Sequence, residues 1–544
     1  MAQMTGGRAL VQSIKREGID TVFALPGAQL DWAFDALHEE QDSIRVIHTR
    51  HEQATSSMAD GFARATGKVG ACLVVPGPGV LNAGAGLSTA YACASPVLCM
   101  AGQIASRLIG VGRGELHEIK DQRAVLESVS KWTGRALAPS EVPGLVREAF
   151  AQLRSGRPAP VSLEIPPDVL MRTEEVALLD GQAERVRQAP DPAAIRQAAE
   201  VLVGAARPAM YVGSGVLLSE AWDEVRELAE ALEIPVIMSR NGRGALSARH
   251  PLALNPVAGL QLLPTCDVVL AVGTRFLEPS QGWELPTSQR IIQIDAEPSE
   301  VGRNREAAVG IVADAKLALA ALRAEVDGVK PKADSWKGEI AAAREKAEDI
   351  LHELQPQASF AGAIRNALPD DGVYVCDVNQ VSYWSWVGFP VYEPRTFLTS
   401  GYQGTLGAGY ATALGAQVGV GSRKVVSVNG DGGFGYNLQE LSTAKAHNIG
   451  AVAIVFDDGA FGNVKRMQRD QFQGRTIGSN LVNPDWMTLA KAFGVAGMTA
   501  RNADELEGTL REAFATDGPV LISVPVGEMP SPWHLIVPQF FKRR

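Results

Sequence analysis

Short runs of β-branched and apolar residues recur along the chain, closed by Gly, Pro or Asp, and stretches with apolar positions three and four apart separate them. In the first third, the runs at 21–25, 46–49, 71–75, 96–102 and 161–165 read as strands, with a helical pattern at 53–66 among them. The middle continues with 209–212, 235–238, 268–272 and 291–295, and the last third with 373–377, 425–428 and 451–456. Continuous apolar strands alternating with helical patterns predict parallel sheets covered on both faces. The expected fold class is therefore α/β, with three doubly wound parallel-sheet domains at 1–180, 190–335 and 355–544. A polar, proline-punctuated stretch at 174–192 and an Ala/Glu/Lys-rich helical stretch at 334–354 are the expected linkers.

The densest chemistry lies at 425–463. A strand stops at Gly430-Asp431-Gly432-Gly433, a glycine turn leads into a helical pattern through Leu438, Leu441 and Ala444, and a second strand runs into Asp457-Asp458. Two parallel strands joined by a helix deliver both loops to one sheet edge, the edge where open α/β sheets bind ligands. Gly432 and Gly433 let the backbone approach a ligand, and amides opening the next helix suit a phosphate. Asp431 would repel that phosphate unless a cation stood between, and Asp458 offers a second oxygen of the kind Mg²⁺ takes. The stretch reads as a metal–diphosphate cradle; it reads equally as a glycine turn flanked by two solvated acids. Upstream, Glu52 closes Arg50-His51-Glu52 between an apolar strand and a helix, where an acid also simply favours a helix N-terminus.

Composition narrows the classes. A chain of 544 residues is too long for one core and fits roughly three or four domains. Hydrophobic and charged fractions of 46% and 21% describe a soluble globular protein, and a net charge of −10 argues against a nucleic-acid surface. The basic Lys542-Arg543-Arg544 end reads as a frayed tail. The N-terminus lacks an apolar signal core, and no apolar run has the length of about 18 residues that a membrane span needs. Five cysteines, an odd number without CxxC spacing and with apolar neighbours, suit free thiols in a reducing compartment; the expected location is cytoplasmic.

In order along the chain stand RHE at 50–52, GFARATGK at 61–68, PGPG at 76–79 with Asn82, Arg275-Phe276, GYQGTLGAGYATALG at 401–415, and GDGGF at 430–434 closing in AFGN at 460–463. This series resembles the acetolactate synthase-like family of thiamine-diphosphate enzymes, which includes benzaldehyde lyase, over essentially the whole chain. The resemblance implies three domains, pyrimidine-binding, central and diphosphate-binding, the first and third alike. It implies that Asp431, Asp458 and the carbonyl of Ala460 hold Mg²⁺, with the departure that Asp457-Asp458 stands where Asn-Asn is usual. Asn379 and Gln380 would lie against the diphosphate part of the cofactor, which Gly432 and Gly433 admit, and Phe461 and Gly462 would also contact the cofactor. Glu52 would bond N1′ of the aminopyrimidine and exchange a proton with it, beside Pro78 and Asn82. In the turn Gly404-Thr405-Leu406, Gly404 would offer its carbonyl to that ring and Leu406 would wedge between the cofactor's two rings; Leu406 reads equally as helix core. Gln29 occupies the position of an active-site His in benzaldehyde lyase, and His117 replaces a customary Gln that faces the substrate, although a lone His is as often structural. Residues 461–473 would form a lid and 529–537 a closing arm, with Phe461, Val464, Met467 and Trp533 toward the substrate.

The implied activity is cleavage or formation of a C–C bond by a carboligase, lyase or 2-keto acid decarboxylase, through a ylide and an enamine, on a keto acid, aldehyde or hydroxy ketone. The implied assembly is a homodimer or homotetramer with active sites at the dimer interface. FAD is not expected. Gly213-Ser214-Gly215 lacks a third glycine, Arg275-Phe276-Leu277-Glu278-Pro279 lacks a second Arg, and the segment after His250-Pro251 departs from that of acetolactate synthases. The alternatives are a flavin-containing acetolactate synthase or 2-keto acid oxidase, and a non-catalytic cofactor-binding paralogue.

Overall fold

The apolar runs assemble into three six-stranded sheets, each parallel throughout. The computed structural model describes residues 1–329 and 336–537; the basic end Lys542-Arg543-Arg544 and the start of the 334–354 stretch lie outside the described residues. Across the first sheet run Arg45–His48, Thr21–Ala24, Gly70–Val74, Val97–Gly102, Val161–Ile165 and Trp132–Arg135. Across the third run Phe397–Leu398, Val373–Cys376, Val425–Gly430, Val452–Asp457, Val520–Pro525 and Ala496–Thr499. Both have the chain order 2-1-3-4-6-5, whereas the central sheet, from Ala253–Leu254 to Val309–Val312, has the order 3-2-1-4-5-6. In each, the order reverses beside the first strand, and that reversal opens a crevice at the strands' carboxyl ends.

The first and third units share a core. The helix Glu52–Thr66, buried along nearly its whole length, crosses the helix Ala408–Val420, and Met58 and Phe62 pack in one cluster with Tyr410 and Leu414. The backbones nearly touch: a Cβ on Gly61 would lie 1.9 Å from the Thr412 carbonyl oxygen, and one on Gly415 1.9 Å from that of Met58. Only glycine permits this approach.

Parts of both expected linkers are regular structure, while 177–191 has no helix or strand and is mostly exposed. Within 174–192, Glu174-Glu175 belong to the strand Thr173–Val176, which pairs antiparallel with Ala2–Thr5. Its polar composition hid it, because an edge ribbon needs few buried side chains. The helix Lys337–His352 buries Ile340, Ala343, Ala347 and Leu351 and packs on the helix Pro256–Leu262 of the central unit. Among the described residues no helix is long and apolar enough to cross a membrane, and all five cysteines are buried and free.

Candidate active site

At the crevice of the third sheet, between the ends of Val373–Cys376 and Val425–Gly430, the glycine turn expected at 430–433 is in fact the start of a helix. Gly430 caps Asp431–Asn437 in an extended conformation, and Asp431, Gly432 and Gly433 form the first turn. Gly432 and Gly433 are absent from the positive-φ glycines, so they serve close approach rather than turn geometry. A Cβ on Gly432 would stand 2.7 Å from the Phe461 ring, and one on Gly433 2.6 Å from Asp377 Oδ2. The space these glycines keep open belongs to a cavity of about 190 Å³, which Asn379, Gln380, Leu406, Asp431, Asp458 and Ala460 line together with Phe461 and Gly462.

Asp431 and Asp458 line the same cavity, close enough for the Asp458 charge to act on Asp431. Burial pushes the Asp431 carboxyl up to about 6, with the charges of Asp458 and Asp457 adding to it, while Asn483 and the Gly432 amide pull the other way. Burial also raises Asp458, with Asp457 adding to it. Asp431 is buried and Asp458 half-buried; two acids this close repel each other, and a divalent cation between them, completed by a backbone carbonyl, would relieve that repulsion. No group of three or more His, Cys, Asp or Glu side chains suited to a metal occurs among the described residues, so any cation here rests on two carboxylates plus backbone or ligand oxygens. That donor set, all oxygen, fits Mg²⁺ bridging to a diphosphate.

Asp457, the departure from Asn-Asn, is turned elsewhere. Its Oδ1 accepts from Asn483 Nδ2 at 2.7 Å and from the Gly459 amide at 3.1 Å, and its Oδ2 accepts from Trp486 Nε1 at 2.6 Å. Asn483 Nδ2 also donates to Asp431 Oδ2 at 2.6 Å, so one amide orients two acids. The sequence reading missed Asn483; its only signal is the Asn-Pro-Asp turn in which it stands.

Leu406 lies outside the helix Ala408–Val420, in the turn before it, which rules out a place in that helix's core. The turn is held from below. The Gly407 amide donates to Asp377 Oδ1 at 3.1 Å, and Asn437 Nδ2 donates to the Gly407 carbonyl at 2.6 Å. Thr405 Oγ1 sits 2.7 Å from Thr89 Oγ1 of the first unit, and Gly404, at φ +60°, faces open space. Asn379 lines the cavity, yet its side chain is committed to capping: Oδ1 accepts from the Ser382 amide and Nδ2 donates to the Val428 carbonyl.

The matching crevice of the first sheet holds the other candidates. Glu52 is the first residue of its helix and is buried, and Asn82 Nδ2 donates to its Oε2 at 3.0 Å. Pro78 opens the helix Pro78–Ala92, and Pro78 and Asn82 are exposed. The Gly77 amide donates to Gln122 Oε1 at 2.8 Å, and Gln122 Nε2 donates to the Gly102 carbonyl, so Gln122 holds the turn from behind. Gln29 and His117, 88 positions apart in sequence, meet at 3.0 Å between Oε1 and Nδ1. Gln29 Nε2 donates to the Leu116 carbonyl, which aims Oε1 at the ring; Nδ1 is then the protonated nitrogen and Nε2 the acceptor. His117 adopts φ +68° against Gly77, where a Cβ would meet its carbonyl oxygen at 2.3 Å.

The chain does not unite the two halves. Glu52, Pro78, Asn82, Gln29 and His117 are absent from the 190 Å³ cavity. Nor do Met467 and Trp533 line it: Met467 is half-exposed, and Trp533 lies against Tyr383 with ring centres 5.0 Å apart and the rings tilted at 56°. The helix Gly462–Gln471 of the expected lid has no buried residue. A larger cavity, about 560 Å³, lies at the central sheet's crevice and is lined by Gly213, Gly215, Arg275 and Asp295; burial pushes the Asp295 carboxyl up to about 6.

Comparison with known proteins agrees with this layout. The thiamine pyrophosphate enzyme family matches in three parts: its N-terminal TPP binding domain at 4–125, its central domain at 195–322 and its C-terminal TPP binding domain at 354–524. A probable acetolactate synthase large subunit of Methanocaldococcus jannaschii is 32% identical over 96% of this chain and 92% of its own length. A probable 2-ketoarginine decarboxylase of Pseudomonas aeruginosa is 34% identical over 96% and 94%. The acetolactate synthase isozyme 2 large subunit of Escherichia coli is 31% identical over 98% of both.

Proposed function

The chain belongs to the thiamine pyrophosphate enzyme family, and from that premise we propose that it makes or breaks a C–C bond beside the carbonyl of a small keto acid, aldehyde or hydroxy ketone. The observation that carries this reading is the paired crevices: an acid pair with close-approach glycines on the third sheet, and a buried Glu52 bonded to Asn82 on the first. Bound thiamine diphosphate supplies the carbanion and the electron sink for such a reaction. Asp431, Asp458 and the Ala460 carbonyl hold Mg²⁺, and Gly432 and Gly433 admit the diphosphate. Leu406 presses on the cofactor from its turn, with Gly404 and Thr405 beside it. Glu52 holds and moves a proton on the aminopyrimidine, which Pro78 flanks. His117, oriented by Gln29, presents Nε2 as an acceptor to a substrate hydroxyl.

Because Glu52 does not line the cavity of its own chain, we infer a homodimer or homotetramer in which a second copy brings Glu52 to that cavity. Leu81 beside Asn82 and Tyr436 near the cradle, both about half exposed (53% and 52%), suit such a contact. We place the protein in the cytoplasm.

A second reading, a flavin-containing acetolactate synthase or oxidase, is favoured by the 560 Å³ central cavity and opposed by the missing second Arg after Arg275. Visible absorption of the purified protein separates the two: a flavin band establishes the second reading. Incubation with Mg²⁺, thiamine diphosphate and pyruvate, benzaldehyde or benzoin, following CO₂ and ketols, tests the first. The expected result is cofactor-dependent turnover of at least one substrate; cofactor binding without any turnover of these or other keto acids would favour a non-catalytic paralogue.

A further inference from the structure

Glu440 closes the 3-10 turn Leu438–Glu440 on the same segment of the third unit that begins with Asp431. Its side chain is fully buried. Both carboxylate oxygens accept the Arg50 N–H at 3.1 Å, and the Thr443 hydroxyl donates to Oε2 at 2.6 Å. Arg50 and His51 lead into the helix Glu52–Thr66, with His51 as its N-cap and Glu52 as its first residue. Amides at a helix start lack intrahelical partners and carry the positive end of the helix dipole. A carboxylate from another unit of the fold therefore sits where it is most strongly attracted. Farther along, the helix body is fixed by its contact with Ala408–Val420 at Gly61 and Gly415. The helix is thus gripped at two places by the third unit, and the grip nearer Glu52 is Glu440.

We infer that Glu440 is a positioning residue for Glu52: by holding the Arg50–His51 turn, it fixes where the Glu52 carboxylate projects. The inference rests on the role proposed above for Glu52 at the cofactor.

The groups facing the Glu440 carboxylate are the Arg50 and His51 amides and the Arg50 guanidinium from the first unit, the Thr443 hydroxyl, and Tyr410 from the crossing helix. Burial pushes the Glu440 carboxyl up to about 7, against the pull of the Thr443 hydroxyl and those two amides. Deprotonated, it offers the Arg50 amide two acceptor oxygens; protonated, it keeps one. A grip that weakens below about pH 7 follows.

The test compares wild type with Glu440→Gln, Glu440→Ala and Glu52→Gln. Amide hydrogen exchange of residues 50–53 is read on the protein without cofactor. Exchange of the reactive C–H of thiamine diphosphate with solvent deuterium is read in the presence of Mg²⁺ across pH 5.5 to 8.5. In Glu440→Ala the amides should exchange at least about tenfold faster and the C–H exchange should fall by about 10²-fold, the scale of an ångström-sized misplacement, with substrate KM little changed. Glu440→Gln, which keeps one acceptor oxygen, should recover at least about tenfold of that loss and should lose the acid limb near pH 7 that the wild type shows. Unchanged amide protection and C–H exchange in both Glu440 variants, with loss of C–H exchange in Glu52→Gln, would overturn the positioning role alone. Unchanged C–H exchange in Glu52→Gln would overturn the cofactor role of Glu52 and the positioning role with it. Should Glu440→Ala not fold, Glu440→Gln decides: a flattened pH profile supports the inference, and a wild-type profile defeats it.

Discussion

The first and third sheets run their strands in the same spatial order and open their crevices at the same place, beside the first strand. Their contents differ. The third crevice concentrates oxygen donors and glycines, with Asp431, Asp458 and the Gly432-Gly433 turn crowded around a small cavity. The first holds one carboxylate, Glu52, a proline-opened helix and the Gln29–His117 pair, with Pro78 and Asn82 facing outward. One scaffold thus places an acid pair in one unit, where we propose a charged anchor, and a single buried carboxylate in the other, where we propose a proton-handling group. The strand order gives the location and the loops give the chemistry, which is why a fold alone does not name a reaction.

Each of the following experiments breaks one side of that comparison, the largest expected effect first among the site residues and the join between the units after them. Glu52→Gln removes the proton-handling side alone: turnover should fall by about 10² to 10⁴-fold while cofactor binding, followed by tryptophan fluorescence, stays within a few-fold. Asp431→Asn breaks the anchor side: the Mg²⁺ concentration for half-saturation should rise at least about tenfold, and Asn483→Ala, which frees both Asp431 and Asp457, should raise it by about 10 to 100-fold. Asp457→Asn sharpens the contrast within the acid pair. Because Asn483, Trp486 and the Gly459 amide already bond Asp457, Mg²⁺ affinity should move by less than about threefold, although charge at the sequence level drops by one. Gly61→Ala attacks the join between the two units: with the Thr412 carbonyl 1.9 Å from the new Cβ, thermal unfolding should show a loss of about 1–3 kcal/mol or more.

The smallest effect concerns a second join. His447 Nε2 lies 2.8 Å from His48 Nδ1, and burial, then the neighbouring His48 and Arg45, lower His447 to about 4. The folded chain therefore keeps His447 neutral where the unfolded chain, at the ordinary 6.5, begins to bind a proton. Its contribution to stability is full above about pH 6.5 and is lost as pH falls toward 4. His447→Gln should lose less melting temperature than wild type over that interval.

Much of this was readable before the structure. The strand Val268–Val272 has the bounds its apolar run predicts, because a strand buried on both faces favours apolar residues throughout; Val161–Ile165 also keeps its expected bounds, although it buries Ser162 and Glu164 among polar partners. The ribbon Ala2–Thr5 with Thr173–Val176 was not readable, since a polar edge pair leaves no such signature. In the candidate site, Asp431, Asp458 and Glu52 stand in motifs with local meaning. Asn483 and Glu440 do not: each acts on residues 26 or more positions away, and nothing in its own neighbourhood marks it. At 430–433 the close approach that Gly432 and Gly433 suggest is kept, but the expected glycine turn is the first turn of a helix.

The sequence by itself determined the α/β class, the family and the residue types at the two crevices, because periodicity and motif spacing are local properties of the chain. Only the tertiary structure decided that Asp457 turns away from its neighbour, that Gln29 fixes the tautomer of His117, and that Glu440 grips the turn before Glu52. These are contacts between residues distant in sequence, and their geometry exists only once helices and sheets have packed.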